Sequence, residues 1–167
     1  SDVCSSDLVL IGNTSGHRNF VLENDKQRGL IFNESKYKTI YGDQNGDRLL
    51  LGHGNTFGFL CADLNNDGLL DLISFEEKKE LQDATRDPIR IHWQGKVTDR
   101  HYPFLEEIFP IEMKNYSIKN VIDVDMDNDG DLDLLLENSG HPSYSRLLLF
   151  ENDGGKFKNI SNHSGVN

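Results

Sequence analysis

Two cysteines, four prolines, two methionines and one tryptophan in 167 residues remove several classes of protein from consideration. Cys4 and Cys61 are too few for a disulfide framework, and the sequence contains neither C-x-x-C nor H-E-x-x-H, so a zinc site has no motif to rest on. Positive charge is scarce. Seventeen Lys and Arg against 28 Asp and Glu leave a net charge of -11, and with no basic patch nucleic acid is excluded as a partner. No apolar run approaches the ~20 residues of a membrane-crossing helix. The G-x-S-x-G elbow and the P-loop are missing too. His17, His53, His92, His101, His141 and His163 lie at no metal-ligand spacing and read as surface or loop residues rather than catalysts. Glu106, Glu107 and Glu112 read as a solvated face. His92 and Trp93 in IRIHWQG could line a ligand surface, although Trp in a strand usually packs a core. No catalytic residue is assigned.

What the chain does have is acid in a fixed pattern. DLNNDGLLDLISF from Asp63 and DMDNDGDLDLLLE from Asp125 stand 62 residues apart, and both read D-x-[DN]-x-D-G-x-x-D followed by an apolar run. In the second copy Asp125, Asp127, Asp129, Asp131 and Asp133 place five carboxylates in nine residues. Two carboxylates ~4 Å apart repel by roughly 4 kcal/mol at an effective dielectric near 20, so a loop that gathers them needs a cation or a shift toward protonation. All the candidate donors are oxygens, which suits a hard cation. Calcium is favoured over magnesium because it accepts six to eight oxygens in flexible geometry, whereas magnesium demands a tight octahedron and keeps its waters.

Positions 1, 3 and 5 of the first loop are Asp63, Asn65 and Asp67, with the Leu69 carbonyl at position 7 and Asp71 at position 9. The second loop supplies Asp125, Asp127, Asp129, the Asp131 carbonyl and Asp133. Gly68 and Gly130 fall at position 6, where the chain turns sharply. An EF-hand begins in the same way but needs a bidentate Glu at position 12 between helices. Here position 12 is Ser74 or Leu136, and a dockerin-type loop fails the same test. The flanks FGFLCAD and NVIDVD on entry, and DLISF and DLDLLLE on exit, read as strands. The plain alternative is a solvated acidic turn, since Asp, Asn and Gly are ordinary turn residues. Two copies in one context favour the metal.

Repetition extends beyond the loops. Asp7, Asp71 and Asp133 are each followed by Leu, at intervals of 64 and 62 residues. NFVLENDKQRGLIFNES from Asn19 and RLLLFENDGGKFKNIS from Arg146 both run strand, Glu-Asn-Asp, glycine-bearing turn, short strand. PIRIHWQGKVTD from Pro88, with Gly95 at its turn, is the middle counterpart, though it lacks Glu-Asn-Asp. Such a period signals propellers, solenoids or arrays. On FGFLCADLNNDGLLDLISF, VIDVDMDNDGDLDLLLE and LLLFENDGGKFKNISNHSGV the chain resembles the FG-GAP or VCBS repeat family of calcium-bearing β-propeller blades. With the Asn19 to Ser35 segment, the resemblance covers most of the chain. It implies a calcium loop at the first strand-to-strand turn of each blade, hence two calcium ions on the ligands named above. Two stretches depart from it. Asp43, Asn45 and Asp47 start such a loop, but Arg48 stands where Gly is needed, so a turn is expected there; the charged stretch from Glu76 to Asp87 is expected as a surface excursion or short helix.

The expected fold is all-β, a fragment of a β-propeller with about two to three four-stranded antiparallel blades over residues 9–56, 57–118 and 119–167. Propellers close with four to eight blades, so the rest would come from the same protein. Residues 1–8, SDVCSSDL, resemble translated sequencing-adapter read-through and are expected to be non-native, which leaves Cys61 as a lone, small buried hydrophobe. Eight of the eleven net negative charges lie in the two loops, and two calcium ions would bring the total to -7. Weak calcium loops need abundant calcium, so an extracellular or cell-surface setting, secreted or periplasmic, is expected. The leading functional expectation is a non-catalytic module that binds a protein or carbohydrate ligand in adhesion. The alternatives are a non-catalytic part of a calcium-dependent polysaccharide lyase or hydrolase, and a plain structural spacer.

Overall fold

Alternating apolar residues and glycine-bearing turns build an all-β chain. A computed structural model of the protein describes residues 8–11, 20–25, 29–32, 56–76, 88–94, 104–109, 113, 116–139 and 146–163. Three sheets result, each a meander of consecutive antiparallel strands. The first joins β1 (Leu8–Ile11), β2 (Phe20–Asp25) and β3 (Gly29–Phe32). The second runs β4 (Thr56–Ala62), β5 (Asp71–Glu76), β6 (Ile89–Gln94) and β7 (Phe104–Ile108). The third runs β8 (Ile118–Val124), β9 (Asp133–Asn138), β10 (Leu147–Asp153) and β11 (Lys156–Asn159), followed by a 3-10 turn at Ser161–His163. Among the described residues, no helix is long and apolar enough to cross a membrane.

The second and third sheets share one register in their first two strands. Thr56 faces Glu76 and Ala62 faces Asp71; 62 residues on, Ile118 faces Asn138 and Val124 faces Asp133. Each first strand slips at the same place, between Thr56 and Gly58 and between Ile118 and Asn120. Such a bulge bends the strand and sharpens its twist. At Gly58 the bulge coincides with a close approach: a Cβ there would overlap the ring of Phe75. The tight hairpin of the third sheet turns on Gly154-Gly155, at φ 56° and 91°, between the paired residues Asp153 and Lys156. Two successive positive φ values match the twist of the flanking strands, which places the turn one residue later than the Asp153-Gly154 dipeptide suggests.

Sheets two and three pack against each other along β4 and β8. Ile73, Phe75 and Ile91 meet Val121, Leu134 and Phe150 in one buried cluster. All six residues of β5 are buried, as in a strand covered on both faces. Phe109 and Met113, from the connection between the sheets, close the cluster; the Phe109 ring stands edge-on to Phe150 at 5.0 Å. Each such aliphatic or aromatic side chain stabilises the fold by about 1.5–3 kcal/mol on full burial.

Two expectations change. Cys61 is half-buried and disulfide-bonded rather than a lone buried thiol. The chain's other cysteine, Cys4, lies outside the described residues. His92, read from the sequence as a surface or loop residue, is buried in β6. Asp7, Asp43, Asn45, Asp47, Arg48, Gly95, Glu112, residues 77–87, and His17, His53, His101 and His141 lie outside the described residues.

Candidate metal centre

The β4–β5 and β8–β9 connections are the two acidic loops, and the same backbone conformation recurs in both. Position 4 is left-handed, Asn66 at φ 56° and Asn128 at φ 60°, and so is position 6, Gly68 at 83° and Gly130 at 99°. Asn tolerates that region better than most residues, and Gly enters it without strain. A ladder of side-chain acceptors follows. The position 5 amide donates to the side chain at position 3, Asp67 N to Asn65 Oδ1 at 3.1 Å and Asp129 N to Asp127 Oδ1 at 3.2 Å. The position 7 amide donates to position 5, Leu69 N to Asp67 Oδ1 and Asp131 N to Asp129 Oδ1, both at 2.9 Å.

Position 9 closes each loop. Asp71 Oδ2 accepts from Leu64 N at 3.1 Å and Asp133 Oδ2 from Met126 N at 3.0 Å. The other oxygen of each reaches the third strand of its sheet, accepting from Gln94 N and Asn152 N, both at 2.9 Å. Asp71 and Asp133 are buried. Burial is the largest influence on Asp71 and lifts its carboxyl to about 6, with the charges of Asp67 and Asp63 adding to it and the Gln94 and Leu64 amides opposing.

The loops differ at position 1. Asp63 is satisfied locally, Oδ1 by Asp67 N at 3.1 Å and Oδ2 by Gly68 N at 2.9 Å. Asn65 Nδ2 further donates to Asp67 Oδ2 at 3.3 Å. In the second loop Asp125 Oδ1 is shut off from solvent with no hydrogen-bond partner. One ligand atom from each of Asp125, Asp127 and Asp129 lies within 4.8 Å of the others. An orphaned buried carboxylate oxygen beside two more carboxylates fits a hard cation: the donors are all oxygen, and a buried acceptor otherwise costs free energy. The Asp127 carboxyl is raised through lost hydration first and then through the charges of Asp129 and Asp133.

The structure thus gathers Asp125, Asp127 and Asp129, while Asp133 lies buried beneath them as the strut of the loop. The Asp131 side chain faces away from this group, accepting from Asn66 of the first loop and, at 2.6 Å, from Gly154 N. In the first loop Asp63, Asn65 and Asp67 bond one another and the backbone, and Leu69 is half-buried beside them.

Sequence reasoning missed Asn152. Its side-chain amide donates to Leu64 O at 2.8 Å and Leu132 O at 3.0 Å, one carbonyl in each acidic loop, and its Oδ1 accepts from Gly155 N at 2.8 Å. The signal was present as the Asn of Glu-Asn-Asp, and Gln94 takes the matching place in β6.

One buried pair has the look of catalytic chemistry. Ser74 Oγ lies 3.1 Å from His92 Nε2, both side chains are buried, and His92 Nδ1 has no hydrogen-bond partner. Burial first and the Arg90 charge second push His92 down to about 4. At that value the imidazole is neutral at pH 7, and both side chains are shut off from solvent. Trp93 is half-buried against the core, with the Gly155 backbone and Asn65 beside its ring. In comparisons with known proteins, no family model and no curated protein matches the chain.

Proposed function

We propose that the chain is a calcium-binding module made of blades of a β-propeller of the FG-GAP or VCBS kind, part of an extracellular or cell-surface protein, which binds a protein or carbohydrate ligand without catalysing a reaction. The observation that carries this reading is the buried, unpartnered Asp125 Oδ1 grouped with Asp127 and Asp129. Further support comes from two four-stranded meanders of matching register whose first strands, β4 and β8, run side by side. That is how innermost strands stand around a propeller axis.

In this reading Asp125, Asp127 and Asp129 hold the ion with the Asp131 carbonyl, while Asp133 fixes the loop from below. Asp63, Asn65, Asp67 and the Leu69 carbonyl form the matching set in the first loop, with Asp71 fixing it from below as Asp133 does in the second. A bound calcium ion supplies the positive charge that offsets the gathered carboxylates. The loop backbones are then held in one conformation, and binding of metal and ordering of the loops are coupled.

The test is retention on glycan and protein arrays in calcium and after chelation, with Asp129→Ala alongside. Retention that depends on calcium and is lost in the variant supports the module. Turnover of a polysaccharide by residues of these sheets would overturn it, and a chain that retains nothing would be a spacer.

A further inference from the structure

The two acidic loops touch each other through side chains that are not among the expected ligand groups, since Asp131 is expected to offer its carbonyl and not its carboxylate. Asn66, at position 4 of the first loop, donates its side-chain amide to Asp131 Oδ1, at position 7 of the second. Asp131 Oδ2 accepts from Gly154 N in the β10–β11 turn at 2.6 Å. Beneath them, Asn152 ties Leu64 O to Leu132 O. Its two amide protons and its carbonyl oxygen are all engaged, which is most of what an Asn side chain offers.

We propose that the two loops form one cation-responsive unit, in which the Asn66–Asp131 clasp and the Asn152 bridge pass order from either loop to the other. The inference rests on the cation reading above and adds to it a coupling between the sites. Asp131 N donates to Asp129 Oδ1, so closing Asp125, Asp127 and Asp129 on a cation holds the Asp131 backbone. Its carboxylate then stands as a fixed acceptor for Asn66. Asn66 lies between Asn65 and Asp67 in a left-handed turn, so holding its side chain restrains the backbone that orients both neighbours. Ordering one loop lowers the conformational cost of ordering the second, which is positive coupling. By linkage the effect is reciprocal.

The test is calcium titration of the full chain followed by native mass spectrometry, comparing wild type with Asn66→Gly. Glycine accepts the left-handed backbone and removes the clasp, and Asp131→Ala controls for the backbone freedom that glycine adds. Asp131→Ala, which retains the backbone carbonyl, is the second variant. Repulsion between two bound cations is common to all three chains, and Asp131→Ala also removes a charge and the acceptor for Gly154 N, so a change shared by both variants is the one assigned to the clasp. The expected result is a singly loaded species that is scarce in wild type and prominent in both variants, with the second stepwise constant falling about fivefold or more. Hydrogen exchange of β5 and β9 amides, unchanged in Asn66→Gly, would show that the fold is kept. Equal ratios of stepwise constants in all three chains would overturn the coupling and leave the cation reading standing. No calcium on any of them would overturn both.

Discussion

The side-chain amide of Asn152 donates a hydrogen bond to the carbonyl of Leu64, 88 residues earlier in the chain, at 2.8 Å. That bond crosses from the third sheet to the loop of the second, and the same amide also holds Leu132 O. Asn152→Ala strands Leu64 O in the buried seam, at about 1–3 kcal/mol for a group left without a partner, and also releases Leu132 O and Gly155 N, which are only half-buried. A urea-unfolding loss of about 2–4 kcal/mol is expected. Lys158→Ala, which removes an exposed ion pair with Glu151 at 3.2 Å, should cost below about 1 kcal/mol.

Asp133 and Asp129 lie four residues apart and should respond differently. Asp133 accepts from Met126 N and Asn152 N beneath the loop, so Asp133→Ala should lower the melting temperature with chelator and with calcium alike. Asp129 is exposed beside Asp125 and Asp127. Asp129→Ala should melt near wild type in chelator and lose most of the rise that calcium gives. Thermal scans of both variants in both conditions check this, and parallel shifts would contradict it.

Two glycine substitutions should fail for different reasons. Gly58→Ala drives a methyl into the Phe75 ring, a clash of roughly 1–3 kcal/mol, and trimming Phe75 to Leu should recover part of it. Gly130 sits at φ 99° with nothing within 4 Å of a Cβ. Gly130→Ala meets only backbone strain, about 1–2 kcal/mol, and no neighbouring truncation should relieve it. Double-mutant stability measurements separate the two cases.

The buried His92 sets an acid limit. Its folded value of about 4 lies below the ordinary 6.5, so between these values the unfolded chain binds more protons. The stability it contributes is full above pH 6.5 and is lost as pH falls toward 4, by about 3 kcal/mol in all. Asp71, raised to about 6, acts with the opposite sign, gaining stability as pH falls through 6. The difference between wild type and His92→Gln, followed by urea midpoints from pH 7 to 4.5 in chelator, isolates His92. A pH-independent difference would contradict the account.

These residues also show what could be read in advance. The strands flanking the loops were legible because apolar runs such as DLISF sit between turn residues, and β5 and β9 lie where those runs fall. The loop pattern gave the acids but not their division of labour. Asp71 and Asp133 share a residue type with Asp125, and only burial beneath the loop makes them struts. Asn66 and Asn128 fill a position that any turn residue would satisfy on paper; the left-handed backbone that favours Asn there appears only in the folded loop. Asn152 acts across the seam, and no local pattern encodes a contact 88 residues away.

The most direct test of the metal centre is isothermal titration of calcium into the metal-free full chain, with Asp125→Ala and Asp127→Ala in parallel. The account predicts two calcium ions on the wild type, with affinities near the ~0.1–1 mM of extracellular calcium modules, and loss of the second-loop ion in either variant. Indistinguishable titrations of wild type and variants, or no binding in any, would contradict it.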